Sequence, residues 1–309
     1  MIYTVTLNPA IDKTVVIDSF STGSVNRVKS VREDPGGKGI NVSKCLRELE
    51  EQSVAAVILA GSTGKRLEGM IEQAGISVLS VWAEGESRTN LKIIDPCKKE
   101  NTDINEPGPV VSAALLEEFK EKLGSRIQRG DIVILSGSLP AGVDKGLYGV
   151  WTTYFRSLDA CVYLDADGEP MHKGMAAMPY MIKPNNDELA ALLGKASLTT
   201  EEMLAEGKRL YDAGIAEVVI SLGGDGALFI NADGTFQAEG LDVTVKSTVG
   251  AGDSVVAAMA FGQSRKLSRE EKMRLSVAMG AGSVMQSGTQ SPEATLIWEL
   301  AQQVKLRKV

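Results

Sequence analysis

Two short glycine-rich turns in this chain each stand directly before an apolar helical pattern, and each carries a side chain able to do chemistry. In "STVGAGDS" (247–254), Gly250-Ala251-Gly252 leads into an Ala-, Val- and Met-rich run over 254–261, with Asp253 at the junction. In "PGGKGINVSKCLREL" (35–49), Gly36-Gly37-Lys38-Gly39 leads into an amphipathic pattern that carries Asn41. A glycine turn opening a helix is an anion site, because free backbone N–H groups and the positive end of the helix dipole face outward. An acid placed there is either a helix N-cap, accepting the unsatisfied N–H groups of the first turn, or a base. A hydroxyl attacking a phosphoryl group must lose its proton, and an anion hole must steady the charge on the transferring group. Asp253 alone fits both readings. Lys38 and Asn41 suit a polyhydroxyl or phosphorylated ligand, and pairing them with Asp253 favours the base.

Neither turn is a Walker A loop, which needs G-x-x-x-x-G-K-[ST]. "AGSTGKR" (60–66) comes nearer, but Leu59 stands where the first glycine belongs and Arg66 follows the lysine. No G-x-G-x-x-G follows the first apolar run, so a dinucleotide-binding fold has little support.

The elements that must position these turns read as alternating strands and helices. Short apolar runs at 2–7, 54–61, 131–137, 161–166, 180–184 and 217–223 predict strands buried on both faces. Helical patterns lie between them at 38–49, 64–74, 112–128, 144–158 and 199–213. The alternation predicts an α/β fold with a doubly wound, mostly parallel sheet. After 223 a hairpin is expected around Asp233-Gly234, then three closing helices at 251–264, 268–286 and 292–305. Two stretches, about 12–34 and 86–107, alternate apolar and polar residues with no helical period. They are expected to pair into a small second sheet covering one edge; the plainer alternative is a pair of long surface hairpins. No linker, repeat or low-complexity tract divides 1–309, so one domain is expected.

Composition narrows the partners. Of 309 residues 43% are hydrophobic and 24% charged, and the net charge is -7 with no long basic run. That argues against nucleic acid or an anionic membrane as the main partner. Three scattered cysteines, Cys45, Cys97 and Cys161, indicate neither a disulfide framework nor a structural zinc site. His172 is the single histidine, which removes a triad or a multi-histidine metal centre, and it reads as a surface or loop residue. No charged segment precedes an apolar stretch at the start, and a reduced cytoplasmic setting is expected.

"GGKGINVSKCL" and "STVGAGDSVVAAM", in this order, resemble the two signatures of the ribokinase-like PfkB carbohydrate kinases. The resemblance runs over nearly the whole chain, and the two alternating stretches correspond to that family's lid. It implies ATP and Mg²⁺. Asp253 would take the proton from the sugar hydroxyl, and the backbone of Gly250, Ala251 and Gly252 would form the anion hole. Asp12, Gly37, Lys38 and Asn41 would bind the sugar, with Ser136 at the same sheet edge. Asp12 after Pro9 can also simply form a turn, and Ser136 a strand-to-loop corner. "VNR" (25–27) and "SRTN" (87–90) resemble the branch acting on sugars already phosphorylated, so Arg88 and Arg27 would hold the phosphate; otherwise they are solvated lid residues. In "KPNNDE" (183–188), Lys183, Asn185 and Glu188 would face the nucleotide, with Glu188 reaching Mg²⁺ through water, although Asn185 and Glu188 also suit a capping box. Ser221, Gly223 and Gly226 of "SLGGDGAL" would approach the triphosphate, or form only a hairpin turn. Small residues of "AGSVMQSG" (281–288) suit an adenine slot or plain helix packing. Ser247-Thr248 replaces the Asp-Thr usual in the broader family, as in the phosphofructokinase-like branch, so the roles of that aspartate do not carry over.

Within that branch, "TVTLNPAIDKT", "VNRV" and "TDINEPGP" are more similar to 1-phosphofructokinases than to tagatose-6-phosphate kinases. The implied reaction converts fructose 1-phosphate to fructose 1,6-bisphosphate. The alternatives are phosphorylation of tagatose 6-phosphate and, in a different class, an inactive nucleotide- or sugar-phosphate-binding regulator. The lid's alternating strands, with Val15, Ile17, Val28 and Val31 on an apolar face, imply a homodimer in which lids pair.

Overall fold

The apolar runs form strands and the amphipathic runs form helices across residues 1–309 in a computed structural model. In chain order the strands are β1 Ile2–Thr6, β2 Ala10–Val16, β3 Ser30–Gly36, β4 Ser53–Ala60, β5 Ser77–Ala83, β6 Arg88–Asp95, β7 Glu100–Asn105, β8 Ile132–Ser136, β9 Cys161–Asp165, β10 Met181–Ile182, β11 Glu217–Ser221, β12 Gly226–Asn231, β13 Gly234–Glu239 and β14 Leu306–Lys308. The helices are α1 Lys38–Glu48, α2 Gly61–Gln73, α3 Ala113–Gly124, α4 Leu147–Ser157, α5 Gly168–Met175, α6 Asn186–Leu192, α7 Thr200–Asp212, α8 Ala251–Ser264, α9 Arg269–Val284 and α10 Ala294–Gln303.

Ten strands make the main sheet in the order β14-β13-β12-β11-β10-β9-β8-β1-β4-β5. From β11 to β5 every pairing is parallel, and β12, β13 and β14 add antiparallel strands at one edge. Successive strand residues point to opposite faces, so both faces are apolar. Val5, Val133, Leu135, Val218 and Ile220 join the core under α3, α4 and α7, while Ile132, Ile134 and Val219 pack under α1, α8, α9 and α10. The chain leaves β1 first toward β4 and β5, then returns to place β8 on the other side. The order therefore reverses between β1 and β8, and open α/β sheets bind ligands outside the carboxyl ends of strands at such a point.

The two alternating stretches pair as expected. β3-β2-β6-β7 form a separate four-stranded sheet, with β2 and β6 parallel and the outer pairs antiparallel. Its own core is Val15, Ile17 and Ile93. This corrects the expected apolar face: Val15 and Ile17 are already covered, and Val28 and Val31 are the exposed members, at 48% and 55%.

Four elements escape the sequence pattern. β5 is an edge strand whose Ser77 and Ser80 interrupt the apolar run, and α5 begins Gly-Glu-Pro. Proline is tolerated there because a first-turn N–H has no intrahelical partner. α6 and β14 are too short to show a period. β10 is only two residues long, since Pro184 has no N–H to continue the ladder, and Lys183 just beyond it lines the ligand cavity. His172 lies exposed on α5, and all three cysteines are free. No helix is long and apolar enough to cross a membrane.

Candidate active site

A cavity of about 1210 Å³ opens at the carboxyl ends of the strands flanking the β1/β8 reversal. Thr6, Gly137, Asp165, Lys183 and Ser221 bring those strand ends to it, and Asp12, Arg88 and Asn90 approach from the lid. Two helix N-termini face it. α1 is opened by Gly37 at φ 122° and α8 by Gly250 at φ 83°, neither with a side-chain cap. Positive φ is a glycine conformation, and a cap without a side chain leaves the first-turn N–H groups open. The two helices pack together, and Cys45 Sγ on α1 lies 3.3 Å from Ser254 Oγ on α8.

Asp253 is the third residue of α8, so the capping alternative gives way: the cap is Gly250. The buried Asp253 carboxylate accepts a hydrogen bond from Asn41 Nδ2 at 2.8 Å. Burial and then the negative charge of Asp165 push its pKa up to about 7, against the pull of Asn41, Lys38 and Lys183.

Around this acid the charges alternate. Lys38 Nζ is 2.8 Å from Asp167 Oδ1 and 3.7 Å from Asp165 Oδ1. Burial opposes the Lys38 charge, but those two carboxylates outweigh it and hold the ammonium above its usual range. Lys183 Nζ stands 3.4 Å from Asp165 Oδ1. Both Asp165 oxygens are buried without a hydrogen-bond partner. A Cβ at Gly252 would stand 3.0 Å from Lys183 Nζ, so glycine leaves room for the ammonium beside the α8 turn. Asp165 and Asp167 are the cavity-lining acids that motif reading missed. Their signal is "LDADGE", two acids at a strand exit on the ligand side of the sheet.

On the lid side, Asp12 Oδ1 accepts from Asn90 Nδ2 at 3.0 Å, the two being register partners on β2 and β6. A Cβ on Gly36 would collide with the Asp12 carboxylate. Burial raises the Asp12 pKa, against Asn90, Lys44 and Arg88. Arg88 donates from Nε to the Asn8 carbonyl at 3.0 Å and from Nη1 to the Glu106 carbonyl at 3.4 Å.

Two predicted residues do not join the site. Arg27 lies exposed in the loop between β2 and β3, away from the cavity lining. Ser136 is fully buried and donates its hydroxyl to the Val5 carbonyl at 3.2 Å; Gly137 and Ser138 line the cavity instead.

At the far end, Asn185 and Glu188 form the capping box of α6, with Glu188 N to Asn185 Oδ1 at 2.7 Å and Asn185 N to Glu188 Oε2 at 2.9 Å. Both residues also line the cavity, as do Ser221, Gly223 and Gly226. The apolar end is built by Leu241, Val243, Val277 and Ala281. Of the stretch 281–288 only Ala281 and Val284 take part, and Ser276 and Gly280 complete the wall from earlier turns of α9. No group of three or more acidic, histidine or cysteine side chains forms a metal cage. Glu188 with its neighbour Asp167 is instead a sparse oxygen set, which fits an Mg²⁺ that keeps its waters and arrives on phosphates.

Comparison with known proteins bears on the family and the fold. The profile described as "pfkB family carbohydrate kinase" matches residues 5–296. The 1-phosphofructokinase of Bacillus subtilis (strain 168) is 34% identical over 309 residues, covering 100% of both chains. The structure of phosphofructokinase-2 from Escherichia coli in complex with potassium superposes with a TM-score of 0.93 at 28% identity, covering 98% of each chain. A ribokinase from Thermotoga maritima shares the fold, with a TM-score of 0.79 at 20% identity over 98% of this chain and 99% of that one.

Proposed function

The chain belongs to the pfkB family of carbohydrate kinases, and from that membership we propose that it transfers the γ-phosphoryl group of ATP to C6 of fructose 1-phosphate. The observation that carries this reading is the position of Asp253: a buried carboxylate beside an uncapped helix N-terminus, between the lid cluster and the nucleotide end. The acceptor's C6 hydroxyl gives its proton to Asp253, its oxygen bonds to the γ-phosphorus, and the bond to the ADP oxygen breaks. Backbone N–H groups at Gly250, Ala251 and Gly252 and the ammonium of Lys183 hold the charge on the transferring group. Lys38 and Asn41 orient the hydroxyl side, and Asp12 and Asn90 hold ring hydroxyls. Arg88, its Nε and Nη1 anchored on backbone carbonyls, directs its remaining donors at the C1 phosphate. The resulting dianion-plus-polyol match is supported by relatives bearing the name 1-phosphofructokinase at 34% identity or above over most of the chain. Mg²⁺ bound with ATP would supply charge neutralisation of the phosphates, with Glu188 and Asp167 the residues to hold it.

ADP release with ATP, Mg²⁺ and fructose 1-phosphate, with fructose 1,6-bisphosphate identified by phosphorus NMR, tests the proposal. A folded protein that binds ATP and fructose 1-phosphate without turnover would instead be a regulator. A higher kcat/KM for tagatose 6-phosphate would keep the kinase and replace the substrate.

A further inference from the structure

Lys44 lies outside the catalytic cavity, on the opposite side of Asn41, where it borders a separate crevice of about 550 Å³ with Asp34 and Thr289. Its ammonium spends its donors on three elements: the Pro35 carbonyl of lid strand β3 at 3.4 Å, Asn41 Oδ1 on α1 at 3.2 Å, and Thr289 Oγ1 after α9 at 3.0 Å. The other end of the same Asn41 amide donates to Asp253 Oδ2 at 2.8 Å. An ammonium has donors and no acceptor, whereas an amide has one end of each kind. Lys44 therefore decides which way the amide faces. With the amide reversed, its carbonyl oxygen would oppose the Asp253 carboxylate.

We propose that Lys44 is a positioning residue for phosphoryl transfer: by holding Asn41 Oδ1 it keeps Asn41 Nδ2 donating to the base, and it ties that orientation to the lid strand. The proposal rests on reading Asp253 as the base. Burial lowers the Lys44 pKa, while the carboxylates of Asp34, Asp12 and Asp253 oppose that shift. The charged groups facing Asp253 are Asp165, Lys38 and Lys183. Lys44 also feels the Asp253 charge through space, and its hydrogen-bonded route to the base runs through Asn41.

The test is the pH profile of kcat/KM for fructose 1-phosphate between about pH 5.5 and 9 at saturating ATP. Wild type, Lys44→Met, Lys44→Arg, Asn41→Ala and the Lys44→Met/Asn41→Ala double variant are compared. The substrate phosphate titrates identically in all of them and cancels. Losing a charge-fixed hydrogen bond to the base should move the acidic midpoint up by about one pH unit and cut the rate on the acidic limb about tenfold. KM for ATP should stay within about twofold, and Lys44→Arg should recover most of the loss. In the Asn41→Ala background Lys44→Met should add no further shift. A wild-type profile in Lys44→Met, with or without a lower Tm, overturns the proposal. So does an equal shift in the Asn41→Ala background, which would make Lys44 a bare charge. If Lys44→Met does not fold, Lys44→Gln is read by the same criteria, since an amide there no longer dictates which way Asn41 faces. Turnover retained in Asp253→Asn would overturn the base reading and this proposal with it. Loss of turnover there alongside a normal Lys44→Met profile would overturn this proposal alone.

Discussion

Replacing Asp253 by Asn should abolish most turnover and yet stabilise the folded protein at alkaline pH. Asn keeps the size of the side chain and can still accept the Asn41 hydrogen bond, but it cannot take a proton. Losing a general base costs roughly two to four orders of magnitude in kcat, or about 3–5 kcal/mol at 1.36 kcal/mol per decade, with ATP affinity little changed. The stability effect has its own sign. Asp253 has its pKa raised from 3.8 to about 7 in the fold, so between those values the folded state holds a proton that the unfolded state has lost. Stability of the wild type therefore falls as pH rises through that window, and the penalty is complete above about pH 7. A shift of about three units corresponds to on the order of 4 kcal/mol. Asn carries no such penalty. Chemical denaturation at several pH values should show the variant more stable than wild type near pH 8, with the difference vanishing as pH falls toward the unfolded-state pKa. Near-normal ADP release from the folded variant would refute the base. A stability difference that is flat with pH would refute the raised pKa and the burial argument behind it.

Arg88→Ala should raise KM for fructose 1-phosphate roughly ten- to a hundredfold, the scale of a charge-assisted contact, and leave KM for ATP nearly unchanged in steady-state kinetics; equal effects on both would remove Arg88 from the acceptor. Gly252→Ala places a Cβ 3.0 Å from Lys183 Nζ, so kcat should drop about ten- to a hundredfold through misplacement while Tm changes little; wild-type kcat would show that Lys183 needs no fixed position. The lid leaves Val25, Val28 and Val31 exposed at 83%, 48% and 55%, with β3 and β7 as open edges. We expect a homodimer in which lids pair, disrupted by Val31→Glu, and light scattering that finds an active monomer at assay concentration would exclude it.

The residues legible in the sequence are those whose role is written locally. A glycine at positive φ before a helix is a local demand, so both turns, Lys38, Asn41 and Asp253 could be read from "GGKGINV" and "GAGDS". Period-2 alternation over β2 and β6 carried the lid, because the two strands share one small core, separate from that of the main sheet. What escaped depends on three-dimensional neighbours. Ser136 stands at the expected sheet edge, but its side chain turns to Val5, a choice set by strand pairing and not by its own segment. Arg27 sits exposed in the loop between β2 and β3, outside the cavity lining. Asp165 and Asp167 gain meaning only where Lys38, more than a hundred residues earlier, crosses them. Lys44 reads as one more polar residue on an amphipathic helix until Thr289 and Pro35 close around it.

These neighbours explain why an acid belongs beside an anion site. An exposed aspartate would be ionised at neutral pH but a weak proton acceptor, and Brønsted behaviour favours a base whose pKa lies near the working pH. Burial and the Asp165 charge raise Asp253 toward that value. Unopposed, the same forces would keep it protonated and inactive. Asn41, Lys38 and Lys183 supply the opposition, and each is held from outside the catalytic turn: Lys38 by Asp165 and Asp167, Lys183 by Asp165, and Asn41 by Lys44. Asp165 thus acts twice, directly raising the pKa of the proposed base and anchoring the cations that lower it. Removing its charge should move the midpoint of activity downward in a pH–rate profile, because the repulsion disappears while Lys183 is released to turn toward Asp253 and Lys38 keeps its charge beside Asp167.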